Sequence, residues 1–267
     1  LGRLKETELS YRKALELNPN LAKAYYSLSL IKYSDDNNIW QDKLFSQNIL
    51  NNKSKIEQIS IYFARAKILD KKKNYKESAT NLRLANKLKL EIKRSEPDIH
   101  LTKSRILLYE SNKKDANEKK QELDPESIFI VGMPRSGSTL LESILSMNMN
   151  VNDLGETNLL EESFLEWKKI NQKYNLSKLY WKKINHNVNQ IKITTNKWLF
   201  NFQYTGIIAN HIPNAKIIHC FRHPLDNILS IYRAHFAKGN EYSSSLVDCT
   251  KVYLNQEELM TEYKNRF

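Results

Sequence analysis

The sequence predicts a helical, repetitive first part followed by an α/β part built on a parallel sheet. Three observations carry that expectation. Up to about residue 110, apolar residues recur at helical spacing in segments whose chemistry repeats; after residue 126, short β-branched runs alternate with helical segments. Between them, SNKKDANEKKQELDPE at 111–126 is polar and charged, lacks an apolar stripe and reads as a linker. The expected division is therefore 1–110, a linker over 111–126, and 127–267.

In the first part, LKETELSYRKALEL at 4–17 places Leu4, Tyr11, Ala14 and Leu15 on one helical face, and Asn18-Pro19-Asn20 breaks the helix. LAKAYYSLSLIKY follows with Tyr25, Leu28 and Ser29 at helical spacing, so the pair reads as helix, tight turn, helix, the unit of a helical solenoid. Sliding the chain by 71 positions brings Leu4, Lys5, Glu6, Thr7, Tyr11, Arg12 and Ala14 onto Tyr75, Lys76, Glu77, Ser78, Leu82, Arg83 and Ala85. That shift is close to twice the roughly 34-residue period of tetratricopeptide repeats and leaves room for one degenerate unit around 39–51. These segments resemble that repeat family. The strongest piece is YRKALELNPNLAKAYYSLS, where Ala14, Pro19, Tyr25 and Leu28 match the pattern and Ser29 replaces its usual glycine. An ordinary helical bundle is the alternative.

In the second part, SIFIVG at 127–132 is a short apolar run ending at glycine, and GSTLLESIL has helical spacing: strand, loop, helix. IKITT at 191–195 and AKIIHCF at 215–221 read as two more buried strands, the latter bounded by Pro213-Asn214 and Pro224. Helices fit at 157–170, 176–188, 201–211, 224–237 and 250–265. Strands separated by helices imply a parallel sheet covered on both faces.

Composition narrows the function. A formal net charge of +12 favours an anionic partner without choosing one, and much of it lies in lysine runs that read as solvated surface. No basic and aromatic interleaving supports a nucleic-acid role. Two cysteines make neither a disulfide framework nor a complete metal site, so a reducing, cytoplasmic setting is expected. No apolar run approaches the roughly 20 residues that span a bilayer, so membrane insertion is not expected. The chain begins at Leu1, in what reads as the middle of a repeat, which leaves an upstream segment open.

The segment from Gly132 to Thr139, GMPRSGST, has the glycine spacing of a Walker A loop, with Ser138 where that motif requires lysine. A loop between a strand and a helix N-terminus aims backbone N–H groups at one spot, and the helix dipole favours an anion there. Gly137 lets the backbone curl, Ser136, Ser138 and Thr139 add hydroxyls, and Arg135 offers a planar fork to phosphate or sulfate oxygens. Without the lysine, a metal-free phosphosulfate fits better than magnesium with a nucleoside triphosphate. VGMPRSGSTLLESIL resembles the 5′-phosphosulfate-binding loop of sulfotransferases, most closely the form in tyrosylprotein sulfotransferases and bacterial repeat-bearing relatives. That resemblance implies a P-loop-like sulfotransferase domain using 3′-phosphoadenosine 5′-phosphosulfate (PAPS), with no metal. Arg135, Ser136, Gly137, Ser138, Thr139 and Leu140 would hold the donor's 5′ end. In KIIHCFRHPLDNILSIYRAHF, Arg222 at a strand end and Ser230 eight residues later resemble the family's 3′-phosphate site.

Sulfuryl transfer to a hydroxyl needs a base, cations on the moving group and a cradle for the leaving phosphate. Glu156, in a Gly-Glu segment 21 residues after Arg135, matches the family's catalytic glutamate and is the candidate general base. Glu161 and Glu162 are weaker rivals. Lys197 resembles the family lysine that contacts the transferring group, and Arg135 joins these two as a catalytic candidate. Some sulfotransferases use a histidine base, which brings in His186 and His219; His219 lies in an apparent buried strand and reads as a core histidine. The resemblance covers about 127–240, with recognisable blocks at 129–145, 154–160, 194–202 and 216–236. Family members continue beyond the 3′-phosphate helix with another strand and a basic segment, so the domain is expected to be incomplete at its C-terminal end. The acceptor is a hydroxyl on a protein, carbohydrate or small molecule, and the repeats suggest a docked protein or peptide. A P-loop kinase or nucleotidase, and a catalytically inactive interaction protein, are the alternatives.

Overall fold

The computed structural model describes residues 4–31, 39–112, 125–185, 193–236 and 239–267. The linker reading falls largely on 113–124, and His186 with the end of the expected 176–188 helix on 186–192; these lie outside the described residues. Packing divides the chain into two compact units, one of Leu1–Glu96 with Tyr232–Cys249, the other of Pro97–Ile231 with Thr250–Phe267.

The first unit is helical: α1 (Leu4–Leu17), α2 (Ala22–Leu30), α3 (Ile39–Phe45), α4 (Lys55–Lys71) and α5 (Tyr75–Ile92). α1 with α2 and α4 with α5 are helix pairs joined by tight turns and packed on each other; the 71-residue shift relates α1 to α5, the first helix of one pair to the second of the other, and so does not superpose the pairs. Local chemistry sets the starts. Ser54 and Glu57 form a reciprocal capping box at α4, and Asn74 caps α5 through the Glu77 N–H. Tyr25, Leu28, Leu44, Ile61 and Ile68 form one apolar cluster, Phe63, Leu82 and Ala85 another. The returning segment 232–249 completes this unit. Asn86 Nδ2 donates to the Tyr232 carbonyl (3.1 Å), the His235 ring stacks on Phe63 at 4.8 Å, and Arg233 pairs with Asp70.

The second unit is α/β: α6 (Pro97–Asn112), β1 (Glu126–Gly132), α7 (Ser138–Leu145), β2 (Val151–Asp153), α8 (Leu159–Lys169), α9 (Leu176–Asn185), β3 (Ile193–Asn196), α10 (Thr205–His211), β4 (Ala215–Cys220), α11 (Pro224–Tyr232) and α12 (Leu246–Arg266), whose first residues fall in the helical unit. The sheet is parallel, in the order β2-β3-β1-β4. β1 is buried almost throughout, with Phe129, Ile130 and Val131 fully inside.

Several expectations are corrected. β4 is an edge strand with partly exposed residues, because among the described residues its hydrogen-bonded neighbour in the sheet is β1 alone. β2 is a strand that the sequence reading lacked. The expected helix 201–211 begins as a 3-10 turn at Leu199–Tyr204; that expected at 224–237 stops at Tyr232; that at 250–265 starts at Leu246. The helix at 97–112, placed with the first part by sequence, packs with the sheet. Gln203 Nε2 donates to the His100 carbonyl (3.0 Å) and to Ser104 Oγ (3.1 Å), and Asn210 Nδ2 to the Ser111 carbonyl (2.8 Å). Among the described residues no helix is long and apolar enough to cross a membrane.

Candidate active site

Because every strand runs the same way, all four carboxyl ends lie on one edge of the sheet, and the segments leaving them gather the candidate residues. The chain leaves β1, forms β2 and β3 on one side, then crosses to β4 on the other. Such a reversal opens a crevice at the strand ends beside β1, where open α/β sheets bind ligands.

The loop 133–137 fills that crevice. Gly132 has φ 143°, and a Cβ there would stand 2.4 Å from the Cys220 carbonyl oxygen, so β1 and β4 meet at their ends only because this residue has no side chain. Arg135 (φ 69°) and Gly137 (φ 101°) both take left-handed conformations, turning the chain back on itself before α7 begins at Ser138. The first N–H groups of α7 lack intrahelical acceptors and face an incoming anion.

Arg135, Ser136, Gly137, Ser138, Thr139 and Arg222 line a cleft of about 430 Å³. Its walls are held from outside. Arg222 Nη1 donates to the Arg135 carbonyl (3.3 Å), Arg135 Nε donates to Ser230 Oγ on α11 (3.4 Å), and the buried Asn227 Nδ2 donates to the Pro134 carbonyl (3.0 Å). The Tyr253 hydroxyl, from α12, donates to the Arg222 carbonyl (3.1 Å). Ser136 Oγ is buried with no hydrogen-bond partner, an arrangement that suits a ligand oxygen. Two guanidinium groups, three hydroxyls and helix N–H groups, with no carboxylate among the lining residues, are the donor set of a phosphate or sulfate site. Of the loop residues named from sequence, Leu140 alone stands apart: it is 67% exposed and does not line the cleft.

A second cluster forms where β2 and β3 end. Their pairing continues beyond the strands, Leu154 N–H donating to Thr195 O and Lys197 N–H to Gly155 O, each at 2.9 Å. That ladder brings Glu156 and Lys197 together, with Lys197 Nζ 2.6 Å from Glu156 Oε1. The fully buried Asn196 shapes the turn that presents Lys197, its Oδ1 accepting from Trp198 N–H (3.1 Å) and Asn201 Nδ2 (3.0 Å). Behind Lys197 lies Glu142, on α7 one turn past Ser138. Its Oε1 accepts from Thr195 Oγ1 (3.0 Å) and its Oε2 is 3.9 Å from Lys197 Nζ.

With this geometry the comparison with known proteins is decisive: the profile described as the sulfotransferase family matches residues 125–267, more than half of the chain. The chain belongs to the sulfotransferase family. It is also similar to an uncharacterized protein of Aquifex aeolicus (strain VF5), 25% identical over 265 residues, covering 89% of this chain and 34% of that protein. The chain thus spans about a third of that relative's length. No solved structure matches.

Within this family member the remaining candidates separate cleanly. Glu161 pairs with Lys103 at 2.5 Å, and Glu162 is exposed on α8; neither is among the groups paired with Lys197. His219 lies in β4 with its Nε2 2.7 Å from Gln256 Nε2, and burial, reinforced by Lys264, holds its pKa below the usual imidazole value. The sequence reading missed Glu142 and Thr195. Glu142 is the single charged residue of α7, STLLESIL, four positions after Ser138, and it is 6% exposed: a carboxylate inside an otherwise apolar and hydroxyl-bearing turn was the available signal. Burial pushes its pKa up; the Thr195 hydrogen bond and the Lys197 charge pull the other way, and Asp153 adds to the upward push.

Proposed function

We propose that this sulfotransferase moves a sulfuryl group from PAPS to a hydroxyl of a protein or peptide acceptor. The observation that carries the reading is the carboxylate-free cleft with Arg135 and the α7 N-terminus on one wall and Arg222 on the other. PAPS supplies an activated sulfuryl group whose departure leaves a phosphate. Arg135, Ser136 and the N–H groups of Ser138 and Thr139 would bind its 5′ end, and Arg222 with Ser230 its 3′-phosphate. Lys197 offers positive charge to the transferring group, and Glu156, with its side chain 60% exposed, accepts the acceptor's hydroxyl proton. The new bond joins the acceptor oxygen to sulfur as the bond from sulfur to the phosphate oxygen breaks.

The residues need no metal for this. A kinase reading is weaker because Ser138 occupies the place of the lysine that a magnesium-triphosphate loop uses. The free thiols Cys220 and Cys249 suit a reducing, cytoplasmic setting. The helical unit reads best as a tetratricopeptide-type platform for the partner. Its groove lined by Lys55, Arg83, Lys87 and Arg94, with Glu91 as the only carboxylate, favours an anionic one. The test is transfer of radiolabelled sulfate from PAPS to a panel of peptide, carbohydrate and phenolic acceptors. The expected result is transfer that Glu156→Gln lowers by about 10²–10⁴-fold. Transfer indifferent to Glu156→Gln and Lys197→Met, or transfer of phosphate from magnesium ATP instead, contradicts the reading.

A further inference from the structure

Lys197 is bracketed by two carboxylates that differ in almost every respect. Glu156 touches it at 2.6 Å and is 60% exposed in its side chain; Glu142 stands at 3.9 Å and is 8% exposed. Glu156 follows β2 on a turn through Gly155, at φ 64°, whereas Glu142 sits on α7 with one oxygen fixed by the Thr195 hydroxyl. One partner is exposed and the other is buried and hydrogen-bonded.

That asymmetry matters for any proton transfer at Glu156. Once Glu156 takes the proton of an incoming hydroxyl, on whichever oxygen, it is neutral and no longer balances the Lys197 charge. Lys197 is 5% exposed, and a buried ammonium left without a counter-charge is strongly disfavoured. Glu142 is the group in place to supply that counter-charge. The charged and polar groups facing it are Lys197 and Thr195 from β3 and the turn after it, Asp153 from β2, the Gly155 N–H, and Glu156 beyond Lys197. Burial raises the pKa of Glu142, while the Thr195 hydroxyl, the Lys197 ammonium and the Gly155 N–H favour its ionised form.

We infer that Glu142 is a positioning residue: it supplies the counter-charge that keeps Lys197 in place behind the transferring group once Glu156 has taken the acceptor's proton. The inference rests on the sulfuryl-transfer reading for its role in turnover, but the coupling of Glu142 to Lys197 is measurable without turnover.

The experiment is a double-mutant cycle of the native chain, Glu142→Gln, Lys197→Gln and the double variant. It reads the affinity for 3′-phosphoadenosine 5′-phosphate (PAP), the product nucleotide, by calorimetry, and the midpoint of thermal unfolding. Action through Lys197 predicts that Glu142→Gln weakens PAP binding about tenfold in the native background and less than about twofold when Lys197 is already Gln. It also predicts that Glu142→Gln is several degrees more favourable to the midpoint in the Lys197→Gln background, where the carboxylate has lost its cation. Equal effects in both backgrounds, on affinity and on midpoint, mean that Glu142 serves packing alone and overturn the inference. If the native chain binds no PAP, the function proposed above fails and the role in turnover falls with it, while the thermal cycle decides the coupling alone: additive shifts reject it, non-additive shifts uphold it.

Discussion

Arg135 and Arg222 reach one cleft from different elements, and what makes them a site is that each is tied to the other's wall: Arg222 to the Arg135 carbonyl, Arg135 to Ser230. Such cross-bracing directs both guanidinium groups to the same cleft. These residues were legible because phosphate-loop chemistry is contiguous, and Arg222 with Ser230 keeps a spacing that strand end and helix preserve. Glu142 was not, since its meaning comes from β3, more than 50 residues away in sequence. His235 makes a separate residue-scale prediction. Stacked on Phe63, it has its pKa lowered to about 4 by burial, with Lys89 adding to the effect. The folded state therefore holds it neutral while the unfolded chain, with an ordinary imidazole near pKa 6.5, binds a proton. Its contribution to stability is complete above about pH 6.5 and is lost as pH falls toward 4. Thermal melts of the native chain and His235→Phe, which keeps the ring stack, should differ progressively over that window. Parallel pH profiles would contradict the assignment.

At the scale of elements, the strand-loop-helix of β1 and α7 depends on two glycines for different reasons, and the difference is measurable. Gly132 needs both its φ and its missing Cβ, which would collide with a backbone carbonyl that cannot move aside; Gly137 needs only its φ, with open space where a Cβ would go. Gly132→Ala should cost about 3 kcal/mol or more in denaturant unfolding, and Gly137→Ala about 1–2 kcal/mol. Equal costs would show that the close β1–β4 approach is not a constraint. The glycine-bounded loop was readable from sequence because its signal is local. β2 was not, being three residues whose pairing is decided by β3, and the start of 201–211 was misjudged because Asn196 and the Trp198–Asn201 turn tighten the chain into a 3-10 form. The half-exposed β4 looked buried because an edge strand next to an apolar centre keeps the same β-branched composition as an inner one.

For the whole molecule, the order of packing departs from the order of sequence. The chain builds the helical unit, then the sheet unit, returns to the helical unit over 232–249, and finishes in the sheet unit with most of α12. Sequence patterns located both units but not this exchange, because α6 and the 232–249 segment carry helix and loop signals that fit either one. One consequence is that the wall of the cleft depends on chain from its far end, through Tyr253 on Arg222. Whether this cleft is built for a 3′-phosphorylated adenosine phosphosulfate is tested most directly by calorimetric titration of PAP without metal, against ATP with magnesium, on the native chain and on Arg222→Ala. The expected result is tight metal-free PAP binding that Arg222→Ala weakens by about 10-fold or more, as loss of a charge-assisted contact to phosphate should. Preference for magnesium ATP, or PAP binding untouched by the loss of Arg222, would contradict it.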